Sequence, residues 1–186
     1  MKRIFDILLS VGILIVLAIP MLLILVLVRL TSKGPAIYWS KRIGMNGVIF
    51  KMPKFRSMQT NTPVVATHLM EQPDEFLSPV GGFLRRSSLD ELPQIFSILK
   101  GDMSFVGPRP ALFNQDDLIA LRVEKRVDQL IPGITGWAQV NGRDELSILD
   151  KVDFDVEYLI NQSLWFDFKI LWMTFVKVIK RVGVKH

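Results

Sequence analysis

The chain contains no cysteine in 186 residues and only two histidines, His68 and the terminal His186. Disulfides and thiol catalysis are therefore excluded, and no histidine cluster is present to hold a metal. No serine–histidine pair suggests a hydrolase triad. No RNA-recognition or zinc-finger pattern occurs, and no stretch interleaves aromatic and basic side chains, so nucleic acid is not an expected partner.

What the chain has in abundance is apolar surface and positive charge. Hydrophobic residues make up 49%, and mean hydropathy is +0.32. Twenty-three Lys and Arg face 18 Asp and Glu, giving +5 and a pI near 9.6. Such a balance points to an anionic partner, either a membrane surface or a phosphorylated substrate. The length suits one domain.

Much of the apolar excess lies in residues 7–28, which carry no charge and are long enough to cross a bilayer. A cleaved signal peptide fits poorly, since the run is long and lacks a small-residue cleavage site. Lys2 and Arg3 precede it; Arg29, Lys33, Lys41 and Arg42 follow. Basic residues at both ends favour keeping both ends on the cytoplasmic side. Pro20 withholds an N–H from the Val16 carbonyl and is expected to bend the helix. The expected form is a re-entrant helix over residues 1–30, with a spanning helix as the alternative.

Beyond a Ser32-Lys33-Gly34-Pro35 turn, residues 36–39 and 48–52 read as short strands around Gly44-Met45-Asn46-Gly47. Residues 59–79 are polar and proline-punctuated, and His68 within them reads as a surface residue. The segment 85–110, RRSSLDELPQIFSILKGDMSFVGPRP, carries the densest chemistry. Ser88 and Glu91 have capping-box spacing, and Pro93 suits a first helical turn with Asp90 near its N-cap. Ile95, Phe96, Ile98 and Leu99 are expected to face a core, and Lys100-Gly101 to stop the helix. Taken alone, Asp90 and Glu91 read as ordinary first-turn acids. With Arg85, Arg86 and Arg109 nearby, they suggest metal-assisted phosphoryl chemistry. Spacing does not distinguish the roles of the two acids.

Residues 112–130 read as a charged amphipathic helix and 150–162 as another, with Asp153, Asp155 and Glu157 either solvated or at a rim. Between them, PGITGWAQVNGR (132–143) is turn-rich, and Gly133, Gly136 and Gly142 would permit close backbone approach to a ligand. Along residues 164–182, Lys169, Lys177, Lys180 and Arg181 fall on one side of a helix. Phe168, Leu171, Trp172, Phe175, Ile179 and Val182 fall on the other. A core-packing helix would give the same pattern, but the two tryptophans and the basic face favour a helix in the membrane interface beside anionic headgroups.

SLDELPQIFSILKGDMSFVGPRP together with PGITGWAQVNGR closely resembles the bacterial sugar transferase family. These are the monotopic phosphoglycosyl transferases that begin glycan assembly on a polyprenyl phosphate. The resemblance runs from the apolar N-terminus to the basic C-terminal helix. It implies an α/β, mostly helical fold: a compact cytosolic domain (31–186) on a re-entrant membrane helix with interfacial amphipathic helices. Family members place Ser before the kink proline, where this chain has Ile19. The larger members carry a further N-terminal membrane domain, for which 186 residues are expected to leave no room.

The resemblance also implies an activity at the cytoplasmic face of the bacterial inner membrane. Asp90 would attack the sugar-bearing phosphorus of a UDP-sugar, expelling UMP, and polyprenyl phosphate would then collect the phosphosugar. Glu91 would assist, with Asp90 and Glu91 as ligands of Mg²⁺. Lys54, Arg85, Arg109 and Arg143 would bind substrate, and Arg56 is a lesser candidate. The sugar expected by analogy is an N-acetylated amino sugar, and a homo-oligomer is left open. Two rival functions are a membrane-bound phosphohydrolase, which would use water as acceptor, and a non-catalytic anchored scaffold.

Overall fold

A computed structural model describes residues 1–63, 65, 73–142 and 145–180, with the side chains of residues 73, 179 and 180 excepted. The first element, α1 (Lys2–Thr31), is a single helix with Pro20 inside it. Among its residues, Asp6, Ser10, Met21 and Val28 are buried, while Leu14, Leu17 and Ile24 pack partly against the body of the protein. Their spacing of three and four keeps one stripe on the domain along the helix. The other face remains bare: Ile15, Val16 and Ile19 are each more than 70% exposed.

Both ends of α1 are fastened to the same body. At the start, the Lys2 ammonium meets Asp167 at 2.6 Å. Arg3 donates to the carbonyls of Ile98 and Leu99, which close a helix whose last C=O groups lack helical partners. Asp6 accepts from the Ser104 hydroxyl and the Phe105 N–H. At the other end, Val28 packs with Ala36, Phe55 and Leu84.

The chain then forms a hairpin. Strands β1 (Ile37–Ile43) and β2 (Ile49–Phe55) pair antiparallel, with Tyr38 opposite Lys54. Their connection uses Asn46 (φ 55°) and Gly47 (φ 74°), residue types that tolerate the left-handed region. Both strands extend beyond the sequence expectation; in β2 Phe50 and Met52 are buried, and so is Phe55 along the extension.

Helix α2 (Gly81–Arg86) leads to a 3₁₀ segment, Leu89–Gln94, and then α3 (Ile95–Lys100). Gly101 ends α3 with φ 101°, as its sequence position predicts. Strand β3 (Ser104–Val106) pairs in parallel with β4 (Gly133–Thr135). Between them lies α4 (Asp116–Glu124), followed by a 3₁₀ turn at Val127–Gln129. The expected helix over 112–130 is thus shorter, because Leu112 is taken up in a bridge to Arg42.

The chain closes with α5 (Trp137–Asn141), α6 (Ile148–Asn161) and α7 (Leu164–Lys180). Ser147 caps α6 by accepting from the Asp150 N–H. The structure is mostly helical, and among the described residues the strands form two two-stranded sheets. Tyr158 and Ile170 join Ile98, Met103 and Val106 in the main core.

On α7, Trp165 is 81% exposed, and Phe168, Trp172, Phe175 and Val178 are exposed with it. Phe168 also packs edge-on against Phe5 of α1, so the bare faces of the two helices adjoin. One expectation needs correction: Leu171 turns toward the core. Lys169 is exposed and lies over the Trp137 ring at 4.9 Å. Arg181 and Val182 lie outside the described residues.

Candidate functional site

The site is built where the hairpin, the 3₁₀ segment and the loop after β3 converge. Ser88 makes the convergence abrupt. With φ 55° it adopts a left-handed turn that separates α2 from the 3₁₀ segment carrying Asp90 and Glu91. This geometry replaces the expected capping box: Ser88 makes no side-chain cap, and Glu91 does not reach back to it. Phe96 is likewise 52% exposed rather than in the core, because at about 100° per residue it falls off the buried face of Ile95 and Ile98.

Glu91 instead turns inward. Its Oε1 accepts from Lys54 Nζ at 2.7 Å and from Arg109 Nη2 at 2.9 Å. Burial would push its carboxyl up. The charges of Lys54 and Arg109 and their hydrogen bonds override that, holding Glu91 well below the usual carboxylate range. Burial pushes Lys54 down from its ordinary value, against the pull of Glu91.

Asp90, 8% exposed, has the opposite balance. Burial raises its pKa first, Lys54 opposes that, Glu91 adds to it, and Arg85 and Arg109 oppose it again. The net direction is upward. Adjacent acids in one turn are therefore driven apart. Glu91 is clamped as an anion, while Asp90 sits among cations that act on it through charge. Among the described residues, four cations, Lys54, Arg85, Arg109 and Arg42, gather around Asp90 and Glu91. Such a concentration of positive charge suits an incoming phosphate or diphosphate.

The Pro108-Arg109-Pro110 corner is fixed by its carbonyls. Pro108 O accepts from the Gly133 N–H at 2.9 Å, Arg109 O from Arg122 at 2.8 Å, and Pro110 O from Arg42 at 3.0 Å. Arg42 also donates to Ser40, and burial lowers its pKa to about 10. It therefore serves the corner and is not a membrane-flanking charge.

Lys54, Arg85, Asp90, Glu91 and Arg109 are brought together as the sequence led one to expect. Arg56 is not, since it donates to the Pro35 carbonyl and stacks near Tyr38. Arg86 points back toward Gly82. Arg143 and His68 lie outside the described residues. Gly133 and Gly136, expected to admit a ligand, admit the protein's own backbone. A Cβ on Gly133 would strike the Gly107 nitrogen, and one on Gly136 the Gly107 carbonyl. Gly142 abuts Leu146. Asp155, expected to be solvated or at a rim, is buried against Arg122. No sequence signal marks Arg42, Arg122 or Asp155, because their partners are distant in the chain.

Among the described residues, no three His, Cys, Asp or Glu gather as a metal cluster. Magnesium does not require one, since it binds through one or two carboxylates with substrate phosphates and water. Asp90 and the Glu91 oxygen not engaged by Lys54 and Arg109 fit that limited role.

Residues 1–181 match the family model described as bacterial sugar transferase. Among similar proteins is the UDP-glucose:undecaprenyl-phosphate glucose-1-phosphate transferase of Escherichia coli (strain K12). It is 41% identical over 184 residues, which cover 95% of this chain and 40% of that protein. An uncharacterized sugar transferase of Bacillus subtilis (strain 168) is 39% identical over 189 residues, covering 100% and 91%. The undecaprenyl-phosphate galactose phosphotransferase of Salmonella typhimurium is 38% identical over 203 residues, covering 98% and 41%. The chain thus spans about two fifths of two of these relatives and nearly all of the third.

Proposed function

The chain belongs to the bacterial sugar transferase family, and from that premise we propose that it moves a sugar-1-phosphate from a UDP-sugar to undecaprenyl phosphate. The observation that carries this reading is the division of labour in one turn. Glu91 is neutralised by two cations, and buried Asp90 lies beside it with Lys54, Arg85 and Arg109 acting on it through charge.

In the first step an Asp90 carboxylate oxygen attacks the sugar-bearing phosphorus. The bond from that phosphorus to the bridging oxygen breaks, and the electron pair leaves with UMP. In the second, an oxygen of the lipid phosphate attacks the same phosphorus and the bond to Asp90 breaks. The product is a lipid diphosphate sugar, and the carboxylate is restored. Two steps spare the enzyme from confronting two anionic substrates at once. Arg109 and Arg85 bind phosphate oxygens, and Lys54 fixes Glu91 so that it neither competes for the phosphate nor drifts. Magnesium held by Asp90 and Glu91 would offset the diphosphate's charge.

The membrane supplies the acceptor. A window of α1 has mean hydropathy 3.3 yet is only 17% buried, so the protein does not cover it. A helix crossing about 30 Å of hydrocarbon carries its ends to opposite sides. Here Lys2 and Val28 are both fastened to one domain, which supports a re-entrant or surface-seated helix; the resemblance implies that the domain lies on the cytoplasmic side of the inner membrane. The bare stripe of α7 beside it suits the interface.

An N-acetylated amino sugar is the donor expected from the resemblance. The relatives are named for glucose and galactose, so UDP-glucose, UDP-galactose and UDP-N-acetylglucosamine form the test panel. One of them should release UMP catalytically only when undecaprenyl phosphate is present. Sustained release without the lipid would indicate a phosphohydrolase and overturn the proposal.

A further inference from the structure

Two residues without a part in the proposed chemistry, buried Asp155 and half-buried Arg122, converge on the backbone of Arg109. Asp155 on α6 is 1% exposed. Its Oδ2 accepts from Arg122 on α4 twice, from Nε at 3.0 Å and from Nη2 at 2.7 Å. The third arm of the same guanidinium, Nη1, donates to the Arg109 carbonyl at 2.8 Å. Because the group is planar and rigid, the carboxylate that orients two arms also aims the third.

Stability alone does not account for such a pair. Apolar residues of similar volume often serve as well as a buried ion pair. What they cannot supply is a directed donor to one chosen carbonyl. The neighbouring carbonyls are chosen too, with Gly133 on Pro108 and Arg42 on Pro110. Three consecutive peptide oxygens are thus each held by a different element. The residue at the centre sends its side chain to Glu91.

We propose that Arg122 and Asp155 are positioning residues for phosphoryl transfer. Asp155 orients Arg122, and Arg122 sets the Arg109 backbone so that its guanidinium meets the phosphate at Asp90. This rests on the reading of Arg109 as a phosphate-binding residue. Arg122 lies outside the family motifs described above and reaches the site only through the peptide oxygen.

The experiment is a double-mutant cycle between Arg122→Lys and Arg109→Ala in the full chain. The readout is single-turnover UMP release from whichever panel sugar is fastest, with thermal unfolding recorded in parallel. Lysine keeps the charge opposite Asp155 but lacks the fork that serves two partners. Arg122→Lys should slow release about tenfold or more, the scale expected from slight misplacement of a phosphate-binding group. Arg109→Ala/Arg122→Lys should be no slower than Arg109→Ala, because nothing remains to position. The same fold-loss from Arg122→Lys in both backgrounds, or no loss in either, overturns the proposal. Should Arg122→Lys fail to fold, Asp155→Asn enters the same cycle with the same criteria. Wild-type release by Arg109→Ala would instead remove the reading of Arg109 itself.

Discussion

Two clusters of buried charge teach different lessons. At the base of α1, Lys2 pairs with Asp167, the Tyr158 hydroxyl donates to Asp167 at 2.6 Å, and Asp6 accepts from Ser104 and Phe105. Each charge there is answered within the protein. Around Asp90, one acid is answered twice and the other is held by charge at a distance, with cations gathered around it. A cluster whose charged groups are all tied by hydrogen bonds fastens elements together. One that gathers cations around a buried acid suits an anionic ligand.

The sharpest way to break that contrast is Asp90→Asn. It keeps shape and removes the attacking carboxylate, so turnover and covalent capture should fall by roughly 10⁴-fold or more, the scale of losing a nucleophile, with thermal unfolding little changed. Near-wild-type turnover would discard Asp90. Stripping divalent metal with EDTA should reduce the rate nearly to background and magnesium should restore it, while full activity in EDTA would end the proposed metal role. Arg109→Ala should lower kcat/KM by about 10²-fold, as expected for losing a charge-stabilising donor, and cost less in stability than in rate. Equal losses would make the corner structural.

The pH dependence sharpens the contrast further. Burial raises the Asp90 pKa, and only the ionised form attacks. Activity should therefore be full above that raised value and decline as pH falls through it, with its acid limb above the ordinary aspartate range. A limb at the ordinary value would show that Asp90 is not desolvated. The smallest catalytic effect belongs to the other cluster. Asp167→Asn should lower unfolding stability by about 1–3 kcal/mol, since it weakens buried hydrogen bonds, while the rate per folded molecule stays near wild type. A large loss of rate with intact stability would mean that the anchor also acts in the reaction.

Local features were legible in the sequence. The apolar run of α1, the Asn46-Gly47 turn and the Gly101 stop follow from hydropathy and backbone preference, and each appears where expected. The long Pro- and Gly-rich motifs located the acidic pair and the arginine corner. What the sequence did not disclose depends on contacts between distant positions. Glu91 reads as a solvated first-turn acid until β2 brings Lys54 within 2.7 Å, 37 residues away in the chain. Asp155 reads as one acid among three until it meets Arg122, 33 residues earlier. Gly133 and Gly136 read as ligand-facing until β3 and β4 pair and the Gly107 backbone fills the space. In each case residue type was informative and the partner was not.

The central claim is most directly tested by giving the purified protein UDP-sugar, labelled in the sugar-bearing phosphate, without any lipid acceptor. One equivalent of UMP should appear, and the label should be found as phosphosugar on Asp90, then pass to undecaprenyl phosphate when that is added. If lipid-linked product forms on adding acceptor, yet rapid quenching at every stage leaves Asp90 unlabelled, the transfer is direct and the covalent account is wrong.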